Sequence, residues 1–299
     1  MSGRRRVVGA FLRNPTACLG AAVLLLLVAY CVLVPLLSPY DPNDADFSAG
    51  RESPSAEHWL GTDQYGRDIF TRLAAGGQTT LLIAGAALAI ILVLGVGYGT
   101  TSGVLGGRVD SVMMRLLDGL IAIPRLPVSI VILVFVGLQA QNIQTVVLAL
   151  AVVNWMITAR LVRGEVVLLK QQDYVRAAQA LGAGRTSVAR RHIVPNSLGI
   201  VIVALFLELP AVILGEAFLA VLGLGPERPT ATWGNIALEG ITFGRLWLVF
   251  LPSLAIAVFA VAANLLADGL GDALDPRRWP VIRGRRRAAR RARPAAEIA

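Results

Sequence analysis

Three ionisable side chains interrupt the apolar runs of this sequence and are its first candidates for chemistry. Arg125 lies inside the run Met113–Leu138, while Glu208 and Glu216 lie inside Leu198–Leu222. Ionisable groups at membrane depth are costly, and they tend to face a water-filled cavity or a partner charge. The two glutamates share roughly one face of a helix, because their spacing of eight residues is close to two turns. Two interpretations stay open: a polar path through the membrane, or an ion pair between Arg125 and Glu208.

A second candidate is a polar, arginine-rich stretch between two apolar runs, Tyr174 to Asn196, called the basic segment below. Two short helical patterns, Arg176–Leu181 and Arg185–Ile193, flank the glycines of Gly182-Ala183-Gly184. Glycine permits the backbone angles that stop one helix and start the next at an angle. The pattern therefore predicts a helix–hinge–helix that ends in a break at Pro195-Asn196. The alternative is an interfacial segment whose arginines only touch lipid headgroups.

The helical spacing gives the basic segment two predicted faces. Ala177, Ala178 and Leu181 share one face, and Val188 and Ile193 lie on another. Because alanine side chains are small, a partner surface can approach the first face closely. A stiff short helix on a hinge can also transmit rigid-body motion, so the segment is suited to docking a soluble protein.

Several kinds of chemistry are excluded by the residues that the chain lacks. Lys170 is the single lysine, and it lies between Leu169 and Gln171, so no Gly-Lys-Ser/Thr of a Walker A loop exists. The run Leu73-Ala-Ala-Gly-Gly-Gln78 is similar to the signature motif of ATPases, but without that lysine we read it as chance. Cys18 and Cys31 are thirteen residues apart on one predicted helix, too far for a disulfide. We expect no metal site and no redox chemistry.

The composition indicates that lipid is the main solvent of the chain. Of 299 residues, 56% are hydrophobic and 16% are charged, and the mean hydropathy is +0.66. We predict an all-α membrane protein with six transmembrane helices. The six predicted spans are Thr16–Leu37, Leu73–Gly107, Met113–Leu138, Ile143–Ile157, Leu198–Leu222 and Leu246–Ala267.

The distribution of arginine predicts the orientation. The N-terminal residues, the 163–197 loop and the tail from Arg277 to Arg293 are basic, whereas the loop Ser38–Gln78 holds seven acids against three arginines. Basic loops stay on the cytoplasmic side. We therefore predict that both termini and the 163–197 loop face the cytoplasm. The basic tail is expected to contact anionic lipid rather than nucleic acid.

The basic segment resembles the EAA loop of ABC-importer permeases, whose pattern is Glu-Ala-Ala, three residues, Gly, and a spacer ending in Pro. Arg176 stands in the glutamate place here, followed by Ala177, Ala178, Gly182 and Pro195. The segment His58–Gly76 is similar to the "H-x-LGTD-x-x-GRD" segment of permeases for dipeptides, oligopeptides and nickel. Ala159–Glu165, Leu222–Asn235 and Asp268–Arg277 also match that subfamily in order, and together these matches cover nearly the whole chain.

The resemblance implies one half of a heterodimeric permease in the inner (plasma) membrane. Its partners would be a second homologous permease subunit, two ABC ATPase subunits and an extracytoplasmic solute-binding protein. The chain itself would be no enzyme and would hold no cofactor, because ATP and Mg would be bound by the ATPase subunits. The first span would stand somewhat apart from a core of five.

The implied sites are two. Docking of the ATPase subunit falls on the EAA loop, namely Asp173, Tyr174, Arg176, Ala177, Ala178, Gly182, Arg185, Arg190, Arg191 and Pro195. The candidate translocation pathway contains Arg125, Glu208 and Glu216. The predicted organisation is 1–78 for the N-terminus, first span and outer loop, 79–272 for the permease core, and 273–299 for the basic tail.

The substrate and the class have named alternatives. Peptides are favoured over nickel or another small solute, because His, Cys and Met, which would line a metal path, are scarce. A self-contained secondary transporter would show inverted internal repeats and would not need a docking loop. Two further expectations concern packing and partners. Gly95, Gly99, Gly103 and Gly107 are expected to pack one helix closely against another, and the outer loop Tyr40–Trp59 is expected to receive the binding protein.

Overall fold

The computed structural model describes residues 8–137 and 142–274, which form a bundle of helices. Within these residues, five helices are long and apolar enough to cross a membrane, or six if one bent pair counts as a single span. The predicted all-α, six-span architecture is confirmed. The main helices are α1 (Pro15–Leu37), α2 (Ile69–Leu105), α3 (Gly107–Ile121), α4 (Arg125–Gly137), α5 (Ile143–Lys170), α6 (Asp173–Ala180), α7 (Arg185–Val188), α8 (Val194–Val221), α9 (Trp233–Thr242) and α10 (Leu246–Leu274).

Glycines bring α2 and α5 together along the most extensive helix–helix interface. A Cβ atom added at Gly95, Gly99 or Gly103 would lie 2.7, 2.4 or 2.6 Å from an atom of α5. The atoms met belong to Thr158, Ala159 and Val166 respectively. These three glycines therefore pack helices, as predicted. Gly107 does not, because it follows the end of α2 and meets nothing within 4 Å.

The core lies between α2, α5, α8, α9 and α10, around a buried tryptophan. Trp233 opens α9, is fully buried, and donates its indole N–H to the carbonyl oxygen of Leu73 at 3.1 Å. A tryptophan buried this deeply is stabilised by such a partner for its N–H. The helix α1 is the least buried of the five long helices. One face of α1 packs against the other helices. On this face, a Cβ atom added at Gly20 would lie 2.7 Å from the carbonyl oxygen of Ala262 in α10.

The third predicted span is not one straight helix. It consists of α3 and α4, which meet at an angle of 85°. Pro124 and Pro127 have no backbone N–H, and proline also disfavours helical angles in the residue before it, so the helix stops at Ile121 and restarts at Arg125. The sequence analysis assigned one span to this run. A polar turn is also expected from the residues Gln139-Ala-Gln-Asn142, but residues 138–141 lie outside the described part of the chain.

The predicted break at Pro195-Asn196 is wrong. The chain stays helical from Thr186 to Val221, and Pro195 stands in the first turn of α8. Pro195 has no backbone N–H, so the turn before it must close without a hydrogen bond from this residue. Residues Ala189–Ile193 form a wider π-helical turn just before it, which α-helices use as a local adjustment. The fifth span is therefore joined rigidly to the second half of the basic segment.

Candidate docking and translocation sites

The basic segment is anchored to the bundle through one apolar face. Val175 of α6 is fully buried together with Val188 and Ile193, and all three join a cluster with Val162 and Val166 of α5. The opposite face is open: Ala177 is exposed, and the side chain of Leu181 is 89% exposed. The two predicted faces are confirmed.

The hinge of the basic segment rests on Gly182. This residue has a φ of +86°, a conformation that L side chains rarely adopt. Its N–H donates to the carbonyl of Gln179, and the N–H of Ala183 donates to that of Ala178, so α6 ends in a tight turn. Gly184, which the sequence also assigned to the hinge, has no such angle.

The predicted docking residues whose side chains the structure describes lie mostly at the surface of this segment. Asp173 begins α6, and Arg185 begins α7. A cavity of about 390 Å³ separates the segment from the ends of α2 and α5, and Lys170 lines it. The exposed members of the predicted set are Asp173, Tyr174, Arg176, Ala177, Gly182, Arg190, Arg191 and Pro195, and Ala178 is half-buried.

Arg125 and Glu208 meet within the apolar part of the bundle, together with a side chain that the sequence analysis did not single out. The Nη1 atom of Arg125 donates to Oδ1 of Asn154 at 2.9 Å and lies 3.9 Å from Oε2 of Glu208. The guanidinium side chain is 34% exposed, and the Glu208 side chain is 7% exposed. The amide nitrogen of Asn154 donates to the carbonyl of Leu150 in its own helix, which fixes the orientation of the amide. These three residues are called the inner triad below.

Glu216 does not join the inner triad, although the sequence placed it on the same helix face as Glu208. Its side chain is fully buried and accepts a hydrogen bond from the hydroxyl of Thr80 in α2 at 3.2 Å. The same Thr80 oxygen accepts the backbone N–H of Trp233 at 3.2 Å. Glu216 therefore connects α8 to α2 and to the start of α9, which is a contact between helices.

The sequence analysis missed a cluster of four buried charges at the end of the bundle that carries the predicted outer loop, called the outer cluster below. Arg67 donates to Asp63 at 2.6 Å and to Glu239 at 2.8 Å, and Arg72 donates to Glu239 at 2.7 Å. All four side chains are at most 6% exposed. The cluster ties the first outer loop to α9. The sequence held one local sign of an ion pair, because Asp63 and Arg67 are spaced by four residues. Glu239 lies on a short helix between two apolar runs.

The outer loop is ordered by further local bonds. His58 Nδ1 lies 3.0 Å from Asp68, and the Asp68 side chain also accepts the N–H of Thr71 at the start of α2. Hydrogen bonds from Ser48 hold the pKa of the exposed Asp46 carboxyl below its usual value. Among the described residues, no group of three or more His, Cys, Asp or Glu is arranged to hold a metal ion.

Two known families match most of the chain. Residues 92–280 match the binding-protein-dependent transport system inner membrane components, and residues 4–54 match the N-terminal TM domain of oligopeptide transport permease C. The dipeptide transport system permease protein DppC of Bacillus subtilis is 40% identical over 268 residues, which are 89% of this chain and 83% of that protein.

Two further relatives agree with this match. The oligopeptide transport system permease protein OppC of Bacillus subtilis is 38% identical, over 89% of this chain and 87% of that protein. The OppC of Escherichia coli (strain K12) is 39% identical, over 89% of both chains. A multi-span helical bundle, an anchored loop with an open face, and these relatives lead to one assignment. The chain belongs to the family of binding-protein-dependent transport system inner membrane components and is a multi-pass permease subunit of an ABC transporter.

Proposed function

We propose that this subunit forms half of the translocation pathway of an ATP-driven importer of dipeptides or oligopeptides. The observation that carries the proposal is the identity of 38–40% to dipeptide and oligopeptide permeases along 89% of the chain. The inner triad supports it, because a permease for zwitterionic peptides requires polar groups inside its apolar bundle.

The proposed partners follow from the family. A second homologous permease subunit would complete the pathway, two ATPase subunits would bind ATP and Mg, and a solute-binding protein would deliver the peptide from outside. This chain needs no cofactor of its own and performs no hydrolysis. Both termini and the basic segment face the cytoplasm in this proposal, as the arginine distribution predicts.

The basic segment is the proposed docking site of an ATPase subunit. Its open face carries Tyr174, Ala177 and Leu181, and its buried face packs against apolar side chains of α5. The second half of the segment continues directly into α8. A push on this face would move α5 and α8, and those helices carry Asn154 and Glu208 of the inner triad. The arrangement gives a mechanical route from ATP hydrolysis to the pathway.

The experiment is uptake into proteoliposomes that contain the purified complex of both permease subunits and both ATPase subunits. With the binding protein outside and ATP inside, labelled di- and oligopeptides should accumulate, and a non-hydrolysable ATP analogue should stop this. Labelled nickel in the same vesicles is the control substrate. Accumulation of nickel without peptide, or peptide uptake by vesicles that lack this chain, would contradict the proposal.

A further inference from the structure

Two groups of buried charges in the described residues, the outer cluster and the inner triad, differ in the hydrogen bonds that their glutamates accept. In the outer cluster, Glu239 accepts a guanidinium N–H on each oxygen, at 2.7 and 2.8 Å. In the inner triad, the closest approach of Arg125 to Glu208 is 3.9 Å, and Glu208 Oε2 is buried without a hydrogen bond from any residue that the structure describes. A buried carboxylate oxygen without a hydrogen bond is costly; Glu216 Oε1 shares this state, but Glu208 is the one with an arginine beside it at 3.9 Å. The inner triad is therefore incomplete as a structural ion pair.

Arg125 lies deep in the bundle, and one side of its guanidinium is exposed there. Its two neighbours, Asn154 and Glu208, lie well inside the apolar parts of α5 and α8. A guanidinium that is 34% exposed at this depth does not face hydrocarbon, because ionisable groups inside membranes face water-filled cavities or other polar groups. The open side of Arg125 therefore faces the pathway or the other permease subunit.

The backbone around Arg125 favours an anion at the same place. Arg125 is the first residue of α4, which restarts after the 85° bend inside the broken span. The N-terminal end of a helix carries partial positive charge, and broken helices in transporters direct such ends at anionic groups of the substrate. Of the five guanidinium N–H groups, one is bonded to Asn154, so the others remain for a planar, two-oxygen anion.

We infer that Arg125 contacts the substrate by binding the C-terminal carboxylate of the peptide, while Asn154 and Glu208 position its guanidinium. The exposures assign these roles: Arg125 is open on one side, whereas Glu208 lies behind it with 7% of its side chain exposed. This inference rests on the proposed function, since it requires that the solute be a peptide with a free carboxylate.

The test compares two peptides of one sequence, with a free or an amidated C-terminus, in proteoliposomes that contain the full complex. Arg125→Gln should lower initial uptake of the free acid by about tenfold relative to wild type, because a charge-assisted pair is lost, and should leave amide uptake nearly unchanged. Any preference of the binding protein cancels in the ratio of variant to wild type. If the binding protein does not deliver the amidated peptide, the two peptides are compared in another way. The measurement is then the Tm shift that each peptide causes in detergent-solubilised complex without the binding protein.

Further variants separate binding from assembly. Arg160→Gln is the matched control, since Arg160 is a partly exposed arginine of α5 paired with Asp118 away from the triad. Arg125→Lys keeps the charge beside Glu208 but loses the planar fork, so it should assemble and show a smaller selective loss for the free acid. Glu208→Gln should move the same ratio in the same direction by less than Arg125→Gln does.

The outcomes are distinguishable from failure of the proposed function. If wild-type complex imports no peptide, the function itself is wrong. Suppose that wild type imports peptide. If Arg125→Gln then lowers uptake of both peptides equally, the inference fails and Arg125 is a structural contact. The same conclusion holds if Arg125→Gln assembles poorly while Arg125→Lys transports the free acid normally. If Arg125→Gln and Arg125→Lys both leave the ratio of free-acid uptake to amide uptake unchanged, the inference is overturned as well.

Discussion

The outer cluster shows how single residues can keep four charges buried. Two acids oppose two arginines, and the Arg72 guanidinium is further satisfied by the carbonyl oxygen of Pro42 at 3.0 Å. Buried charges persist when they are paired and hydrogen-bonded, and removal of one partner leaves the other uncompensated. Glu239 accepts a hydrogen bond from each arginine, whereas Asp63 is hydrogen-bonded to Arg67 and lies 3.6 Å from Arg72. The cluster holds the first outer loop against α9, where a binding protein would land.

Replacing Glu239 by glutamine should therefore destabilise the assembled protein strongly. The buried group would carry an excess positive charge, and breaking a buried pair in this way costs about 3–5 kcal/mol. The measurement is the thermal unfolding midpoint of the purified complex, followed by tryptophan fluorescence. Trp233, which lies on the same helix as Glu239, contributes to that signal. The matched control is Glu227→Gln, an exposed glutamate at the same end of the bundle, which should change stability by less than about 0.5 kcal/mol.

The double variant Arg72→Gln/Glu239→Gln provides the decisive comparison. It removes one charge of each sign, so the remaining Asp63 and Arg67 stay balanced, and part of the lost stability should return. A double variant that is less stable than Glu239→Gln alone would show that shape and hydrogen bonds, rather than charge balance, hold the cluster together.

At the scale of helices, glycine serves two different purposes in this chain. In α2 it removes side chains so that α5 can approach, and at the end of α6 it supplies a backbone angle in open space. Gly99 illustrates the first, because an added Cβ would lie 2.4 Å from the carbonyl oxygen of Ala159. Gly182 illustrates the second, because an added Cβ meets nothing within 4 Å while φ is +86°. The two kinds of site should respond differently to substitution.

Gly99→Ala should separate α2 from α5. The added methyl meets backbone rather than a flexible side chain, so the helices must shift, and overpacking of this kind costs about 1–3 kcal/mol. Gly97→Ala on the same helix is the control, because its Cβ would meet nothing within 4 Å. The yield of folded, monodisperse protein in detergent should fall for Gly99→Ala only. Equal yields for the two variants would contradict the close packing of α2 on α5.

Gly182→Val should abolish ATP-driven transport while leaving membrane insertion intact. A β-branched residue is strained at positive φ by about 1–3 kcal/mol, and relief of that strain redirects the chain between α6 and α7. Gly184→Val is the control, since its site is equally open but lacks the positive angle, and it should transport at a rate close to wild type. Normal peptide import by complexes with Gly182→Val would refute the docking role of the basic segment.

At the scale of the whole molecule, the sequence predicted what hydropathy and local spacing can encode. Most of the spans, three of the four glycines predicted to pack α2 and the two faces of α6–α7 follow from periodicities of a few residues, and the structure agrees with them. The outer cluster was missed because Arg67 and Glu239 are 172 residues apart and only the fold brings them together. The break expected at Pro195 was wrong because a proline in the first turn is compatible with a helix that a wider turn precedes. Asn154 was missed because a single amide in an apolar helix resembles an ordinary packing residue.

The purified chain alone should neither bind nor hydrolyse ATP. No Gly-Lys-Ser/Thr sequence exists in its 299 residues, and a Walker A loop requires that lysine. The measurement is phosphate release by the isolated subunit, compared with the same subunit assembled with its ATPase partners, which should be active. Stoichiometric hydrolysis by the isolated chain, resistant to further purification, would disprove the division of labour proposed above.

The lone lysine gives this molecule a native chemical reporter. The Nζ atom of Lys170 donates to the carbonyl oxygens of Gly103 and Val104 at 2.9 and 3.1 Å, and it lines the cavity beneath the basic segment. Within this sequence an acylating reagent finds a single lysine side chain. Its rate at Lys170 will depend on how far the basic segment lifts away from the end of α2. Timed acylation of the unmodified chain can thus follow that movement through a transport cycle without any engineered label.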